Sequence, residues 1–151
     1  MSTCALTGHR DLPPDFDRDA LYDDLEAIIK AGCDHFLCGM AWGFDLAALE
    51  CLVALRRKYR FTLSAYVPFD GQEKSFPSEE QQKYKELIAW CDVVRILYPA
   101  YQNGCYLARD RFMVEHADLL YAYCTRKTGG SAYTVKYAQS HGVDVRFYGE
   151  S

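Results

Sequence analysis

Short apolar runs alternate along the chain with longer segments whose apolar positions recur every three to four residues. The runs predict six strands, over residues 4–7, 35–38, 62–67, 93–97, 119–124 and 143–147. The longer segments predict five helices, one after each of the first five strands. This alternation favours right-handed crossovers and a single Rossmann-like α/β domain, with a mostly parallel sheet and helices on both faces.

Start and stop signals place the predicted helices more closely. Gly32 stops the first helix, and Gly142 closes the last. Ser78 and Gln81 are spaced as a capping box at the start of the third. The other helices are predicted to end near Lys58 and to run over 107–116 and 131–141.

Composition narrows the classes of protein. With 151 residues, half of them apolar, the chain fits one domain over 1–151. A net charge of -4 argues against nucleic acid as a partner, and no apolar run is long enough for a membrane helix. The apolar run at the start is also too short for a signal peptide, so a cytoplasmic location is expected. The seven cysteines form no CxxC pair, so reduced thiols are expected.

Ligands of open parallel sheets bind beyond the carboxyl ends of the strands, so the loops that follow strands are the candidate site. After the first strand come Thr7, Gly8, His9 and Arg10. They could contact a ligand, or they could form an ordinary polar turn.

A GxxxGxD pattern follows the second strand and directly precedes a helix. It contains Gly39, Met40, Gly43 and Asp45. Amides at the start of a helix attract anions, and glycines let a phosphate approach them. The alternative is that the glycines allow close packing and that Asp45 caps the helix.

A second glycine-rich turn follows the fifth strand, with Gly129, Gly130 and Ser131 before a helix that contains Thr134. The preceding helix carries Arg109 and Arg111, whose guanidinium groups suit phosphate; an ordinary solvated helix surface is the alternative. These turns and arginines together predict a phosphate-binding pocket.

Other residues carry weaker signals. Cys33, His35 and Cys38 have metal-binding side chains, but core packing is favoured and no metal site is predicted. Tyrosines around a sheet of this size more often fill the margin of the core, and Tyr101, in the loop after the fourth strand, is the one considered for stacking on a base. No catalytic triad is indicated.

Several motifs, in order along the chain, resemble the YpsA-like family of the SLOG superfamily. They are TGHR, CGMAWGFDLAALE, VPF with Gln72, RDRFMVEHADLLYAY and TGGSAYTVKYA. The superfamily includes the Rossmann domain of the DNA-processing protein A and the LOG phosphoribohydrolases. The resemblance implies a nucleotide or nucleotide-derived ligand.

LOG enzymes cleave the N-glycosidic bond of a nucleotide with an arginine and a glutamate. Arg109 matches the arginine, whereas no carboxylate follows Gly130 within the first turn of the last helix. Asp45 and Asp110 are the available substitutes for the glutamate, with Arg109 and Asp45 the catalytic candidates.

Three functions follow from these observations. The first is a sensor or regulatory module that binds a nucleotide or an ADP-ribose-like ligand, with no further cofactor. The second is a nucleotide N-glycosidase, and the third is single-stranded DNA binding. The resemblance, with the apolar helix faces, also favours a homodimer paired through helices.

Overall fold

The computed structural model describes residues 2–150 and contains six strands and five α-helices in strict alternation. The strands are β1 (Ser2–Gly8), β2 (Cys33–Cys38), β3 (Thr62–Phe69), β4 (Val93–Tyr98), β5 (Leu119–Tyr123) and β6 (Asp144–Phe147). The helices are α1 (Arg18–Lys30), α2 (Phe44–Leu55), α3 (Ser78–Ile88), α4 (Cys105–Glu115) and α5 (Gly130–Ser140). A short 3₁₀ turn, Gln72–Ser75, precedes α3.

The six strands form one sheet in the order β4-β3-β2-β1-β5-β6, and every neighbouring pair is parallel. The side chains alternate between two cores. In β1, Cys4 and Leu6 join the core that also contains residues of α1, α2 and α3, whereas Ala5 joins the core of α4 and α5. The predicted Rossmann-like fold with helices on both faces is therefore confirmed.

The strand order reverses beside β1. From β1 the chain winds through β2 and β3 to β4, then returns through α4 to β5, on the other side of β1. The loops after β1 and β5 thus leave the sheet toward opposite faces and open a crevice between them. This is where ligands bind in sheets of this type.

Several strand and helix ends differ by one to three residues from the sequence prediction, and α2 ends at Leu55 instead of near Lys58. Two further differences concern how a helix begins. The capping box at Ser78 is wrong: Pro77 is the N-cap and Ser78 already lies in the first turn, where its hydroxyl caps nothing. The side-chain amide of Gln81 instead donates through Nε2 to the carbonyl of Phe76 at 2.9 Å. Helix α4 begins at Cys105, two residues before the predicted start, so Arg109 lies in its second turn rather than at its opening.

Within residues 2–150 the helices are all too short or too polar to span a bilayer. All seven cysteines are free thiols. Cys33 and Cys38 are buried in the core, and His35 contacts the hydroxyl of Ser64 through Nε2 at 2.7 Å.

Candidate functional site

A cavity of about 580 Å³ opens at the reversal point of the sheet. Four segments line it: the end of β1 with the loop that follows, the loop between β2 and α2, the first turns of α4, and the turn before α5. The cavity-lining side chains include Arg10, Asp45, Tyr106, Arg109 and Ser131. Its size lies within the range of small-molecule pockets, about 300–1,000 Å³.

The turn before α5 presents unoccupied backbone amides to this cavity. Gly129 has a φ of +100°, a conformation that favours glycine, and it precedes α5 without any side-chain cap. A methyl group on Gly129 or Gly130 would meet nothing within 4 Å. The amides of Gly130, Ser131 and Ala132 donate to no protein acceptor among residues 2–150. The amino end of α5 can therefore accept an anion.

The turn before α2 is, in contrast, filled by the protein itself. The amide of Gly43 donates to the Glu80 carboxylate at 3.1 Å, and the amide of Phe44 donates to the His9 carbonyl at 3.1 Å. A Cβ on Gly43 would lie 2.2 Å from the carbonyl oxygen of Arg10. Gly43 thus allows its loop to pack against the loop after β1. The Glu80 carboxylate occupies the position at this helix terminus that a phosphate would need.

Arg109 is buried at the base of the cavity. Its Nε donates to Asp110 at 2.7 Å, and its Nη1 donates to the carbonyl oxygen of Gly39 at 2.5 Å. A Cβ on Gly39 would lie only 2.6 Å from that nitrogen, so Gly39 makes room for the arginine. Burial lowers the pKa of Arg109, but Asp110 and Asp45 outweigh it and keep the pKa above its ordinary value. Arg109 thus joins α4 to the end of β2.

Arg10 is the cavity arginine that makes no ion pair among residues 2–150. Its guanidinium lies between two aromatic rings, 4.6 Å from the centroid of Trp42 and 4.8 Å from that of Tyr106. These rings fix the plane of the guanidinium while leaving its donors without a carboxylate. Arg126, across the cavity mouth, is already paired with Asp11 at 2.6 Å.

Asp45 has an unused acceptor in the cavity wall. Its Oδ2 accepts the amide of Ala41 at 3.2 Å, while its Oδ1 is buried with no hydrogen-bond partner among residues 2–150. Burial raises its pKa to about 6, although Arg109 and the Ala41 amide favour the charged form. A carboxyl with this pKa exchanges protons near neutral pH and accepts a hydrogen bond when it is ionised.

His9 connects the two loops that border the crevice. Its Nε2 accepts the backbone amide of Thr125 at 2.9 Å, and its ring packs edge-on against Tyr123. Burial, and then the nearby Arg126, lower the pKa of His9. The neutral imidazole therefore holds the loop after β1 against the loop after β5.

The structure brings nine of the sequence-predicted site residues together around the cavity. They are Thr7, Gly8, His9, Arg10, Asp45, Arg109, Gly129, Gly130 and Ser131. The other five lie outside its lining: Gly39, Met40, Gly43, Arg111 and Thr134.

These five residues have contacts within the protein. Gln72 donates its side-chain amide to the carbonyls of Gly39 and Met40 at 3.3 Å each. Thr134 donates to Asp110 at 3.1 Å, and Arg111 donates to the hydroxyl of Tyr133 at 3.2 Å. Arg111 therefore lies on the outer surface of α4, directed away from the cavity arginines.

Among the polar lining residues, Asp110 was named from the sequence only as a substitute for the glutamate of LOG enzymes, and four others were not candidates at all: Asp11, Tyr106, Arg126 and Thr128. Position along the chain was a usable signal for two of them, because Asp11 extends the polar loop after β1 and Arg126 lies three residues after β5. Tyr106 lies one helical turn before Arg109, on the same face of α4. Tyr101 is exposed and packs edge-on against Phe69, outside the cavity lining.

The sequence model of the YpsA family, described as the YspA SLOG family, matches residues 15–147. The chain belongs to this SLOG family. Among curated YpsA-type relatives, it is 26% identical over 103 residues to the UPF0398 protein OB1025 of Oceanobacillus iheyensis, covering 67% of this chain and 52% of that protein. It is 28% identical over 97 residues to the UPF0398 protein SaurJH9_1506 of Staphylococcus aureus, covering 62% of this chain. The matches span about half the length of these relatives, 52% in both cases.

Two solved structures share the fold of this SLOG domain. DNA processing protein A (DprA) from Streptococcus pneumoniae superposes with a TM-score of 0.71 at 16% identity, over 97% of this chain and 50% of that one. The protein of Helicobacter pylori, described with a single-stranded DNA binding mode, gives a TM-score of 0.68 at 16% identity, over 97% and 64%. At this identity the likeness concerns the fold.

Proposed function

We propose that the cavity binds a nucleotide or a nucleotide-derived phosphorylated ligand, and that the protein acts as a sensor or regulatory module. One observation carries the proposal: the amides of Gly130 and Ser131, which have no protein acceptor among residues 2–150, and the guanidinium of Arg10, which makes no ion pair there, line the same cavity. The dipole of α5, these backbone amides and the fixed positive charge of Arg10 together form the donor set that a phosphate requires.

The rest of the cavity suits the organic part of such a ligand. Asp45 Oδ1 is an unoccupied acceptor that a ribose hydroxyl or a base amino group could satisfy. The ring of Tyr106 and the methyl of Ala41 add apolar surface to the wall. Family membership and the fold of DprA agree with a nucleotide-related role.

A direct test places a negative charge among the unoccupied amides. Gly130→Asp has open space at its Cβ and favours the start of a helix, so the variant should fold with unchanged or higher stability. Its carboxylate should abolish the binding of AMP, ADP, ADP-ribose and ribose 5-phosphate, measured by calorimetry. Gly130→Ala is the matched control and should bind as the wild type does. Equal binding by Gly130→Asp and wild type would exclude a phosphate at this turn.

Arg10→Ala tests the second half of the phosphate site. Loss of a charge-assisted contact is worth about 1.5–3 kcal/mol, so the dissociation constant should rise roughly 10- to 150-fold. Arg111→Ala removes an arginine from the outer surface of α4 and should leave binding unchanged. An effect of Arg111→Ala equal to that of Arg10→Ala would contradict the site.

A second candidate function, the cleavage of an N-glycosidic bond, is favoured by Asp45 alone. Its buried, unpartnered oxygen and its pKa of about 6 suit a group that activates water or steadies an oxocarbenium-like state. Chromatography of each binding mixture for released base separates the two functions. A ligand recovered intact supports the sensor, whereas released base that Asp45→Asn abolishes establishes the hydrolase.

Single-stranded DNA is the third candidate. The single-stranded DNA binding mode of the Helicobacter pylori protein raises this candidate, while the net charge of -4 argues against it. A fluorescent oligonucleotide titrated in the same buffer tests it. Binding that weakens steeply with salt and persists in Gly130→Asp would favour DNA over a mononucleotide.

A further inference from the structure

The two edges of the sheet differ in how they are protected. At the β4 edge, Val93, Val94 and Ile96 are 38%, 46% and 51% exposed, and the preceding Trp90 is 55% exposed. Arg95 is the one charged residue of this strand, VVRILY, which contains neither proline nor lysine. An exposed apolar edge strand of this kind is a template for pairing with another strand.

The backbone of β4 has unpaired groups on its outer side. Asp92 donates its amide to the carbonyl of Leu63 at 2.8 Å, and the carbonyl of Tyr98 accepts the amide of Asp70 at 3.0 Å. In a parallel ladder, residues of the same parity face the same neighbour, so the even-numbered residues of β4 bond to β3. Val93, Arg95 and Leu97 therefore direct their amides and carbonyls away from the sheet.

The β6 edge is closed by the chain itself. β6 has only four residues, of which Asp144 and Arg146 are charged. The amide of Tyr148 donates to the carbonyl of Ala122 on β5, so Val145 and Phe147 face outward. The amide of Phe147 donates to the Glu150 carboxylate at 2.9 Å and its carbonyl accepts the Glu150 amide at 3.0 Å, which leaves Val145 as the single outward residue of this short strand that is not covered within residues 2–150. Short length, charge and a covered amide are the features that prevent strand addition at an edge.

We propose that β4 pairs antiparallel with β4 of a second copy, so that two six-stranded sheets become one continuous sheet. With a twofold axis at Val94, Val93 of one copy lies opposite Arg95 of the other. The outward amides and carbonyls of these two residues then hydrogen-bond to each other, and the two arginines do not face one another. Because the β6 edge is closed, the assembly ends at two copies instead of growing into a fibre. This proposal does not depend on the ligand of the cavity.

The size of the contact fits a second copy. The exposed parts of Trp90, Val93, Val94 and Ile96 amount to roughly 400 Å² of apolar surface per copy. With the strand backbone, two copies should bury on the order of 1,000 Å², the lower bound of a specific interface. The expected complex is a dimer that dissociates upon dilution.

Analytical ultracentrifugation of the full chain tests the proposal, at roughly 1 to 200 µM, a range that brackets a weak interface. The wild type should shift from monomer to dimer as its concentration rises. Ile96→Lys should remain monomeric throughout, with an unchanged melting temperature at low concentration, because the side chain is exposed in the monomer. Tyr133→Lys, at an exposed aromatic residue on α5, is the matched control and should dimerise as the wild type does.

Amide hydrogen exchange gives a second, residue-level readout. Exchange at Val93 and Arg95 should slow as concentration rises, whereas Val94 and Ile96, bonded to β3, should exchange slowly at every concentration. Three results would overturn the proposal: a wild type that is monomeric over the whole range, a dimer that Ile96→Lys leaves intact, or a dimer in which Val93 and Arg95 still exchange rapidly. A dimer lost only in Tyr133→Lys would assign pairing to the helices instead.

Discussion

Arg109→Ala would remove the guanidinium that donates to Asp110 and to the carbonyl of Gly39 and that favours the charged form of Asp45. Two carboxylates, Asp45 and Asp110, would remain in a buried site without a positive partner. Asp110 would keep the hydroxyl of Thr134, and Asp45 would keep the amide of Ala41. Removing one partner of a buried ion pair costs about 3–5 kcal/mol. Since each carboxylate retains one hydrogen bond, we expect a loss of about 4 kcal/mol at pH 8, a large part of the 5–15 kcal/mol typical of a domain.

Urea unfolding followed by far-ultraviolet circular dichroism measures this loss. A 4 kcal/mol change should lower the melting temperature by roughly 8–16 °C for a chain of this length. The double variant Arg109→Ala/Asp110→Asn should recover at least about 1 kcal/mol, because it removes one of the stranded charges. The loss should also be smaller at pH 5 than at pH 8, since Asp45, with its pKa near 6, is then mostly protonated.

A decrease of less than about 1 kcal/mol in the unfolding free energy at pH 8, with an unchanged slope of that free energy against urea concentration, would refute this reasoning. Arg109 would then behave as a solvated side chain that is available to a ligand. A large loss that Asp110→Asn fails to relieve would instead indicate that the hydrogen bond to Gly39, rather than charge, accounts for the stability.

Three further substitutions test individual contacts of the site. Burial raises the pKa of Asp45 from 3.8 to about 6, so the native carboxyl destabilises the protein as pH rises from about 4 to 6. In urea unfolding, Asp45→Asn should therefore be about 1–3 kcal/mol more stable than wild type at pH 8 and show no gain at pH 4. Gly39→Ala, whose Cβ would lie 2.6 Å from Arg109, should lower the melting temperature and cost about 1–3 kcal/mol, while no loss would show that Arg109 can move. The pKa of His9 is lowered in the folded protein, so the stability that His9 contributes is complete above its unfolded pKa of 6.5 and declines as pH falls below that value. His9→Gln should flatten the plot of unfolding free energy against pH below 6.5. An unchanged slope would assign this pH dependence to another group.

The sequence predicted the fold well because each strand and helix carries its own periodic signal. The buried face of α1 is formed by residues spaced three to four apart, Leu21, Leu25, Ile28 and Ile29, and Gly142 follows α5 as its stop signal predicts. The prediction was wrong where an adjacent residue changed how a helix begins. Pro77 fixes the entry to α3, so a spacing that is typical of a capping box caps nothing there.

The site was harder to predict, because equivalent patterns have opposite roles in the two glycine-rich turns. Gly43 and Gly129 both precede a helix with a positive φ, 83° and 100°. What distinguishes them is the surroundings: the carbonyl of Arg10 fills the space beside Gly43, whereas the space beside Gly129 is open. Such tertiary neighbours are distant in sequence, so spacing alone could not separate packing from binding.

The same limit applies to the arginines. Arg109 and Arg111 are indistinguishable by residue type, yet the helical turn buries one against Asp110 and exposes the other beside Tyr133. Arg10 carries no helical signal, and its two aromatic neighbours, Trp42 in the loop before α2 and Tyr106 in the first turn of α4, are brought together only by the folded chain.

The carboxylate of Glu80 at the amino end of α2 acts as an internal mimic of a ligand. It comes from α3, on the far side of a loop, and Lys83 lies 3.5 Å from it on the next turn. A neutral residue at position 80 would leave the Gly43 amide without this acceptor, while the Phe44 amide would keep the carbonyl of His9. The side chain that fills this helix terminus therefore comes from α3, outside every glycine-rich motif, so the motif by itself does not tell whether the amides that follow it are free.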